Sequence, residues 1–203
     1  MLLNAFLSAL LNVLVLTGLP FLGYFLYHKW RHKRRLGEIS RRAGLQIGDK
    51  KYLVYSALFA TVCVALLLAW QPPLESFTGE GSPQRAFVGL GLSGTSIAMA
   101  LLYGVVKTGF SEELLFRGLI AGSLSRRLSL PWANLWQALI FLLPHLPILH
   151  TRPELWGVLP VVFVGALVSG WLRIKSGSIF GPWLIHAALN TATCLNIAIR
   201  TAG

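Results

Sequence analysis

Charged residues are scarce in this chain of 203 residues, since Asp, Glu, Lys and Arg together make up only 12%. A soluble globular domain carries about 25% charged residues. Hydrophobic residues make up 55% of the chain, and the mean hydropathy is +0.64. This composition excludes an ordinary soluble domain. It predicts an all-α integral membrane protein, because apolar runs of about 20 residues form membrane-spanning helices.

Cysteine is equally scarce, and several familiar chemical motifs are missing. Cys63 and Cys194 both lie in apolar segments, so the sequence indicates no disulfide, and there is no CxxC pair. The absence of HExxH excludes an ordinary zincin site. There is no Ser-His-Asp or Cys-His arrangement, and no Gly-rich phosphate loop next to a strand.

Basic residues outnumber acidic ones, which gives a net charge of +11. Half of them fall in one loop that follows the first apolar segment, which argues against a nucleic-acid partner. A basic loop beside a span predicts a cytoplasmic location and contact with anionic lipid. The nine basic residues of this loop are Lys29, Arg31, Lys33, Arg34, Arg35, Arg41, Arg42, Lys50 and Lys51.

The apolar pattern predicts a polytopic transmembrane bundle of about seven spans, in two regions. Residues 1–85 would hold two spans, the basic loop with a short interfacial helix at 36–45, and an exposed connection. Residues 86–203 would hold the remaining spans, and the resemblance to a known family described below implies that the last four to five of them form a catalytic core. The seven segments are 1–27, 52–70, 86–106, 111–128, 131–146, 156–174 and 179–200.

The positive-inside rule gives this set an orientation. With the basic loop in the cytoplasm, the amino terminus lies outside and the carboxyl terminus inside. Lys107, Arg152 and Arg200 then share the side of the loop. Five basic residues fall on the other side: Arg85, Arg126, Arg127, Arg173 and Lys175.

Two adjacent glutamates stand out among the seven acidic residues, because the other five lie in polar connections. Glu112 and Glu113 lie in an apolar segment, where each charge costs about 2.5–3.5 kcal/mol on insertion scales. A purely structural explanation makes Ser111 a helix N-cap and Glu113–Arg117 an i,i+4 ion pair. That explanation leaves Glu112 without a partner, so we interpret the pair as functional.

Three later polar residues have the same unusual placement. His145 ends an apolar helix, while His186 and Asn190 are four residues apart on one face of the last span. A desolvated glutamate can act as a general base for water, and His and Asn side chains can stabilise an oxyanion. The same residues could instead hold a divalent metal such as zinc, with Glu112, His145 and His186 as ligands. The residue pattern leaves both mechanisms open.

The three motifs Glu112-Glu113-x-x-x-Arg117, Phe141-x-x-x-His145 and His186-x-x-x-Asn190 occur in this order on apolar helices. In this they resemble the CPBP family, the CAAX-protease and bacteriocin-processing (Abi) intramembrane endopeptidases, over about residues 86–200. The resemblance implies that Glu112 and His145 activate water, and that His186 and Asn190 stabilise the oxyanion. Glu113 and Arg117 would support the site. It also implies a metal-free glutamate mechanism as the favoured one, with a metallopeptidase as the alternative.

The first hypothesis for function is therefore an intramembrane endopeptidase in a prokaryotic plasma membrane. Its partner would be a peptide or membrane-protein substrate. A non-catalytic immunity or regulatory protein of the same family is the second hypothesis. An ion or proton pathway through the intramembrane carboxylates and histidines is the third.

Overall fold

The computed structural model describes residues 1–203, apart from the side chain of Thr151. All regular secondary structure in this described part is helical, which confirms the all-α prediction. Three of its helices are long and apolar enough to cross a membrane: Leu2–His32, Lys50–Trp70 and Val158–Ser176. Leucines and valines along these helices are exposed, as expected of side chains that face lipid; examples are Leu58, Leu66 and Val161.

We number nine helices of the described part of the chain in sequence order. They are α1 (Leu2–His32, with a π-helical turn at Val13–Gly18), α2 (Leu36–Arg42), α3 (Lys50–Trp70), α4 (Glu75–Thr78), α5 (residues 94–124), α6 (Leu130–Leu142), α7 (Ile148–Thr151), α8 (Val158–Ser176) and α9 (Phe180–Arg200). Short 3-10 turns at Pro83–Phe87, Leu143–His145 and Pro153–Leu155 join some of them.

Helix α5 corrects the predicted division into spans. The segments predicted at 86–106 and 111–128 form one helix, and the backbone at Ser111 is helical rather than that of an N-cap. The helix begins at Gly94, where Ser93 and Ser96 form a capping box. The prediction failed because Gly109 and Ser111 looked like a break. Instead, the chain passes through them in wide π-helical turns at Leu102–Phe110 and Glu113–Ala121.

The continuity of α5 also corrects the predicted positions of the basic residues. Arg126 and Arg173 were predicted to lie opposite the basic loop, but both donate to the carbonyl oxygen of Arg42 within it, at 3.4 and 3.0 Å. Because the structure has one crossing fewer than predicted, every connection after α5 lies at the other end of the bundle from the predicted one. The ends of α5 and α8 therefore pack against the basic loop, at what we call the basic end.

The opposite end of the bundle gathers the other connections. The Arg200 guanidinium donates to the carbonyl of Pro72, and the Gly89 amide donates to Thr201 Oγ1 at 2.8 Å. Arg152 Nη1 donates to the carbonyl of Glu75 at 2.7 Å. The carboxyl terminus thus lies at the end away from the basic loop, contrary to the prediction.

Helix α9 holds the bundle together through its contacts with α5 and α3. A buried cluster at the opposite end joins Phe87 and Met99 to Cys194 and Ile197 of α9. Close approach depends on Gly104, where an added Cβ would meet the Thr191 amide at 2.7 Å and the Ala187 carbonyl at 3.0 Å. Because a larger residue would push α5 away from α9, this glycine sets the distance between the two helices that carry the candidate site.

Candidate active site

Glu112 lies in the middle of α5 between its two π-helical stretches, and Glu113 begins the second of them. π-helical turns are rare and occur often at functional sites. Carbonyl oxygens of these wide turns accept bonds from neighbouring helices. Trp183 Nε1 donates to the carbonyl of Val105 at 2.7 Å, and Thr17 Oγ1 donates to that of Ser111 at 3.1 Å. Side chains from α9 and α1 therefore fix the backbone on which the glutamates are carried.

Glu113 forms the predicted ion pair with Arg117, with 3.2 Å between Oε1 and Nη1. Both side chains are almost fully buried, at 1% and 2% exposure. The guanidinium carbon of Arg117 also lies 4.0 Å from the centre of the Phe141 ring, which adds a cation–π contact. Two opposite charges sealed among apolar side chains form a rigid unit, because neither can be separated from the other without a large desolvation cost.

His186 lies between the two glutamates. Its Nδ1 is 3.0 Å from Glu113 Oε1, and its Nε2 is 3.9 Å from Glu112 Oε2. A carboxylate oxygen accepts hydrogen bonds, so Nδ1 carries the proton in the first contact. Glu112 therefore has a partner in the structure, and this partner is on α9. Unlike Glu113, its side chain remains 23% exposed.

Asn190 is held by Thr108, a residue that the sequence analysis did not single out. The Thr108 hydroxyl donates to the carbonyl of Tyr103 at 2.9 Å and accepts from Asn190 Nδ2 at 2.8 Å. Because the only hydroxyl hydrogen of Thr108 is already used, its oxygen must face the NH₂ group of Asn190. This chain of hydrogen bonds fixes which way the amide points. Thr108 lies four residues before Glu112 on α5, and that spacing was the available signal.

His145 comes from the 3-10 turn that follows α6. Its Nδ1 lies 2.9 Å from the carbonyl oxygen of Phe141. Since a carbonyl oxygen can only accept, Nδ1 is the protonated nitrogen, and the neutral ring carries its lone pair on Nε2. The ring also lies against Phe141, with 5.0 Å between centroids. The backbone of α6 thus sets both the orientation and the tautomer of His145.

One cavity of about 660 Å³ brings the candidate residues together. Helix α8 supplies its apolar wall, including Val161, Gly165 and Ser169. Tyr103 and Thr108 also line it. All six residues predicted for the site line this cavity: Glu112, Glu113, Arg117, His145, His186 and Asn190. The volume falls within the usual range for ligand sites, about 300–1,000 Å³.

The residues predicted as metal ligands do not converge on a common point. Among the described residues, no group of three or more His, Cys, Asp or Glu side chains could hold a metal ion. Nδ1 of His186 faces Glu113, and Nδ1 of His145 faces a backbone carbonyl. Of the expected set, only His186 and Glu112 are close together. This donor set does not fit a metal, and we derive no step through one.

The comparison with family models matches residues 94–192 to the family described as type II CAAX prenyl endopeptidase Rce1-like. This part of the chain, 99 of its 203 residues, is similar to that family. It is the CPBP family that the three motifs resemble, so the predicted resemblance is confirmed. Neither the comparison with curated proteins nor that with solved structures finds a match. The match runs from α5 into α9 and includes every CPBP motif residue described above, with His145 in the turn after α6.

Proposed function

We propose that the protein is an intramembrane endopeptidase in which Glu112 activates water for attack on a peptide bond. Similarity to a CAAX-type protease family supports a peptidase acting on a peptide or protein in the membrane. The observation that carries the proposal is the shared cavity, which is lined by a partly exposed glutamate, two histidines and an oriented amide. We propose that the reaction proceeds without a metal cofactor.

The first step assigned to this site is proton abstraction. Glu112 takes a proton from water while His145 Nε2 accepts a second hydrogen bond from the same molecule. The resulting hydroxide adds to the carbon of the scissile carbonyl group. The carbonyl oxygen then becomes the oxyanion of a tetrahedral intermediate. General-base assistance of this kind contributes about 10²–10⁴-fold.

The second step breaks the carbon–nitrogen bond. The Glu112 carboxyl returns the proton to the leaving amine, and the new carboxylic acid passes its hydroxyl proton to that amine, so that the products are a carboxylate and an ammonium group. Asn190 has a second amide hydrogen beyond the one given to Thr108. When protonated, His186 donates from Nδ1 to Glu113 and from Nε2 into the cavity. These two donors would stabilise the oxyanion.

Glu113 and Arg117 have a supporting role in this proposal. Their mutual burial excludes them from contact with water, whereas Glu112 is accessible. Glu113 instead holds the His186 ring in place through Nδ1. The pair therefore orients the oxyanion donor rather than reacting with the substrate.

The proposal includes a topology of six crossings, formed by α1, α3, α5, α6, α8 and α9. With the basic end in the cytoplasm, Arg126, Arg127, Arg173 and Lys175 join the loop on the positive side. Arg85, Arg152 and Arg200 remain at the opposite end. This distribution follows the positive-inside rule more closely than seven spans do. The plasma membrane of a prokaryote and contact of the basic loop with anionic lipid are parts of the same proposal.

Isotope labelling tests the reaction. The protein, reconstituted in vesicles, is given prenylated and unprenylated peptides ending in Cys-aliphatic-aliphatic-X, in water enriched in ¹⁸O. Direct attack by water puts one ¹⁸O into the new carboxylate in a single turnover and none into the protein. An acyl-enzyme on Glu112 that water hydrolyses at the glutamyl carbonyl would instead label that side chain. A parallel sample treated with a chelator and then supplied with zinc tests metal dependence. Failure to cleave either peptide, with the purified protein folded, would count against a CAAX-type substrate.

A further inference from the structure

Five arginine side chains surround a pocket of about 490 Å³ at the basic end: Arg34, Arg41, Arg42, Arg126 and Arg173. Three different parts of the chain contribute them, namely the basic loop, the connection after α5 and the last turns of α8. Glu38 is the one acidic residue among those that line the pocket. The cluster therefore carries a large excess of positive charge in a confined space.

Hydrogen bonds hold these cations together. Arg126 and Arg173 share the Arg42 carbonyl, and Arg126 also donates to the Tyr24 hydroxyl at 2.9 Å. Burial lowers the pKa of Arg126 below its usual value, and the charges of Arg42 and Arg34 lower it further. The fold thus places like charges side by side against their repulsion.

Some of the guanidinium donors have no acceptor. Within the described part of the chain, the Nε atoms of Arg34 and Arg42 are buried and have no hydrogen-bond partner. Leaving a buried charged donor unsatisfied is costly. The planar fork of an arginine matches two oxygens of a phosphate group, whereas lysine offers only a point charge. A phosphate group in the pocket would give the surrounding guanidinium groups an acceptor and neutralise the cluster.

We propose that this pocket binds one phosphate group, supplied by the headgroup of an anionic phospholipid. The ends of membrane-spanning helices lie at the depth of the headgroups, so a lipid phosphate reaches the pocket without leaving the bilayer. This is narrower than a general attraction between the basic loop and an anionic surface. It requires Arg126 and Arg173, which lie outside the loop, and it gives the exposed loop residues Arg31 and Arg35 no part.

The pocket is also connected to the candidate active site. Arg173 donates from Nη2 to the Arg42 carbonyl and from Nε to the Arg117 carbonyl, both at 3.0 Å. Arg117 is the buried partner of Glu113. A bound phosphate that fixes this network would therefore raise the unfolding temperature of the core, whether or not the protein cleaves peptides.

Lipid retention tests the proposal in the full chain, purified in a neutral detergent. The probes are dioleoyl phosphatidylglycerol, dioleoylglycerol, which lacks the phosphate, and inorganic phosphate. Native mass spectrometry counts bound molecules, and thermal unfolding measures stabilisation. We expect one phosphatidylglycerol per protein and a raised unfolding temperature, with neither effect from dioleoylglycerol. Stabilisation by inorganic phosphate equal to that by phosphatidylglycerol would assign the pocket to free phosphate and overturn the lipid assignment.

Two charge-matched double variants separate a built site from diffuse attraction. Arg34→Gln with Arg42→Gln should weaken phosphatidylglycerol retention by about tenfold or more, because two forked donors are lost. Arg31→Gln with Arg35→Gln removes the same charge from exposed positions of the same loop and should leave retention nearly unchanged. Equal weakening by both pairs would overturn the proposal. If the first pair does not fold, absence of selective retention by the wild-type protein overturns it as well.

Discussion

Nδ1 of His186 lies 3.0 Å from Glu113 Oε1, although the two residues are 73 positions apart in the chain. This contact joins α9 to α5 at the level of the ion pair between Glu113 and Arg117. The other ring nitrogen, Nε2, faces Glu112, with 3.9 Å between Nε2 and Oε2. One glutamate thus positions the histidine, while the other stays accessible from the cavity. The different roles proposed for the two adjacent carboxylates rest on this contact.

Replacing Glu112 by glutamine should remove peptide cleavage. Glutamine keeps the shape of the side chain but cannot accept the proton of water, so the rate should fall by about 10²–10⁴-fold. Product formation under single-turnover conditions, followed by mass spectrometry, is the measurement. Glu80→Gln in the exposed connection is the matched control and should cleave normally. Cleavage by the Glu112 variant at the wild-type rate would exclude the proposed mechanism.

Breaking the buried ion pair should destabilise the fold. Arg117→Met leaves the Glu113 carboxylate without its main counter-charge, which costs about 3–5 kcal/mol for a buried pair. Adding Glu113→Gln should recover part of this loss, because no uncompensated charge then remains. Unfolding in mixed micelles measures the full double-mutant cycle. Asp49→Asn, at an exposed pair where asparagine still caps the helix, should change little. Strictly additive losses in the cycle would contradict the coupling.

Thr108→Val should lower kcat without unfolding the protein. Valine has nearly the same shape but cannot accept from Asn190, so the amide loses its fixed orientation and one oxyanion donor is misplaced. Removing such a donor costs about 10²–10³-fold in kcat, and a misplaced one should cost less. Thr61→Val on the outer face of α3, whose hydroxyl bonds only within its own helix, is the control. A normal kcat in the Thr108 variant would show that Asn190 needs no support.

Gly104→Ala should push α5 and α9 apart. The added methyl group meets backbone atoms of Thr191 and Ala187, which cannot move as a side chain does. Overpacking of this kind costs about 1–3 kcal/mol. Gly23→Ala in α1, where nothing lies within 4 Å of the new methyl group, should be neutral or stabilising. Thermal unfolding of both variants, with cleavage assays beside it, tests whether the helix distance matters for stability and for the site.

Labelling of single cysteines tests the six-crossing topology. With Cys63 and Cys194 replaced by alanine, cysteines are introduced by Arg35→Cys, Arg127→Cys, Glu80→Cys and Ala202→Cys in separate proteins. An impermeant maleimide applied to intact cells should label positions 35 and 127 to the same extent. Positions 80 and 202 should also agree with each other, and their labelling should be the opposite of that at positions 35 and 127. Different labelling at positions 35 and 127, as seven spans would require, contradicts the continuity of α5.

The sequence was informative wherever a residue was chemically out of place in its segment. The six predicted site residues line one cavity because charged and polar groups on apolar helices have few other places to go. The roles assigned to them remain predictions. Thr108 escaped notice because a threonine is ordinary in an apolar helix, and its position four residues before Glu112 gains meaning only with its contact to Asn190.

The topology was harder to predict, because glycine and serine have different effects in different contexts. Gly109 and Ser111 resemble a helix break followed by an N-cap, yet the neighbouring helices hold them in a continuous helix. The Ser111 hydroxyl bonds back to the carbonyl of Val106 instead of capping a new start. One wrong break reversed the side assigned to every later connection. It also hid the arginine pocket, whose members had been placed on different sides of the membrane.

Some of the α8 side chains that line the cavity are also strongly exposed. Val161 and Val164 line the cavity, and they are 70% and 56% exposed. Because both side chains are apolar, this side of the cavity is suited to contact with the hydrocarbon of a membrane. Under the proposed function, a peptide that carries a lipid chain would enter the cavity sideways from the bilayer and bring its amide to Glu112 without passing through the aqueous phase.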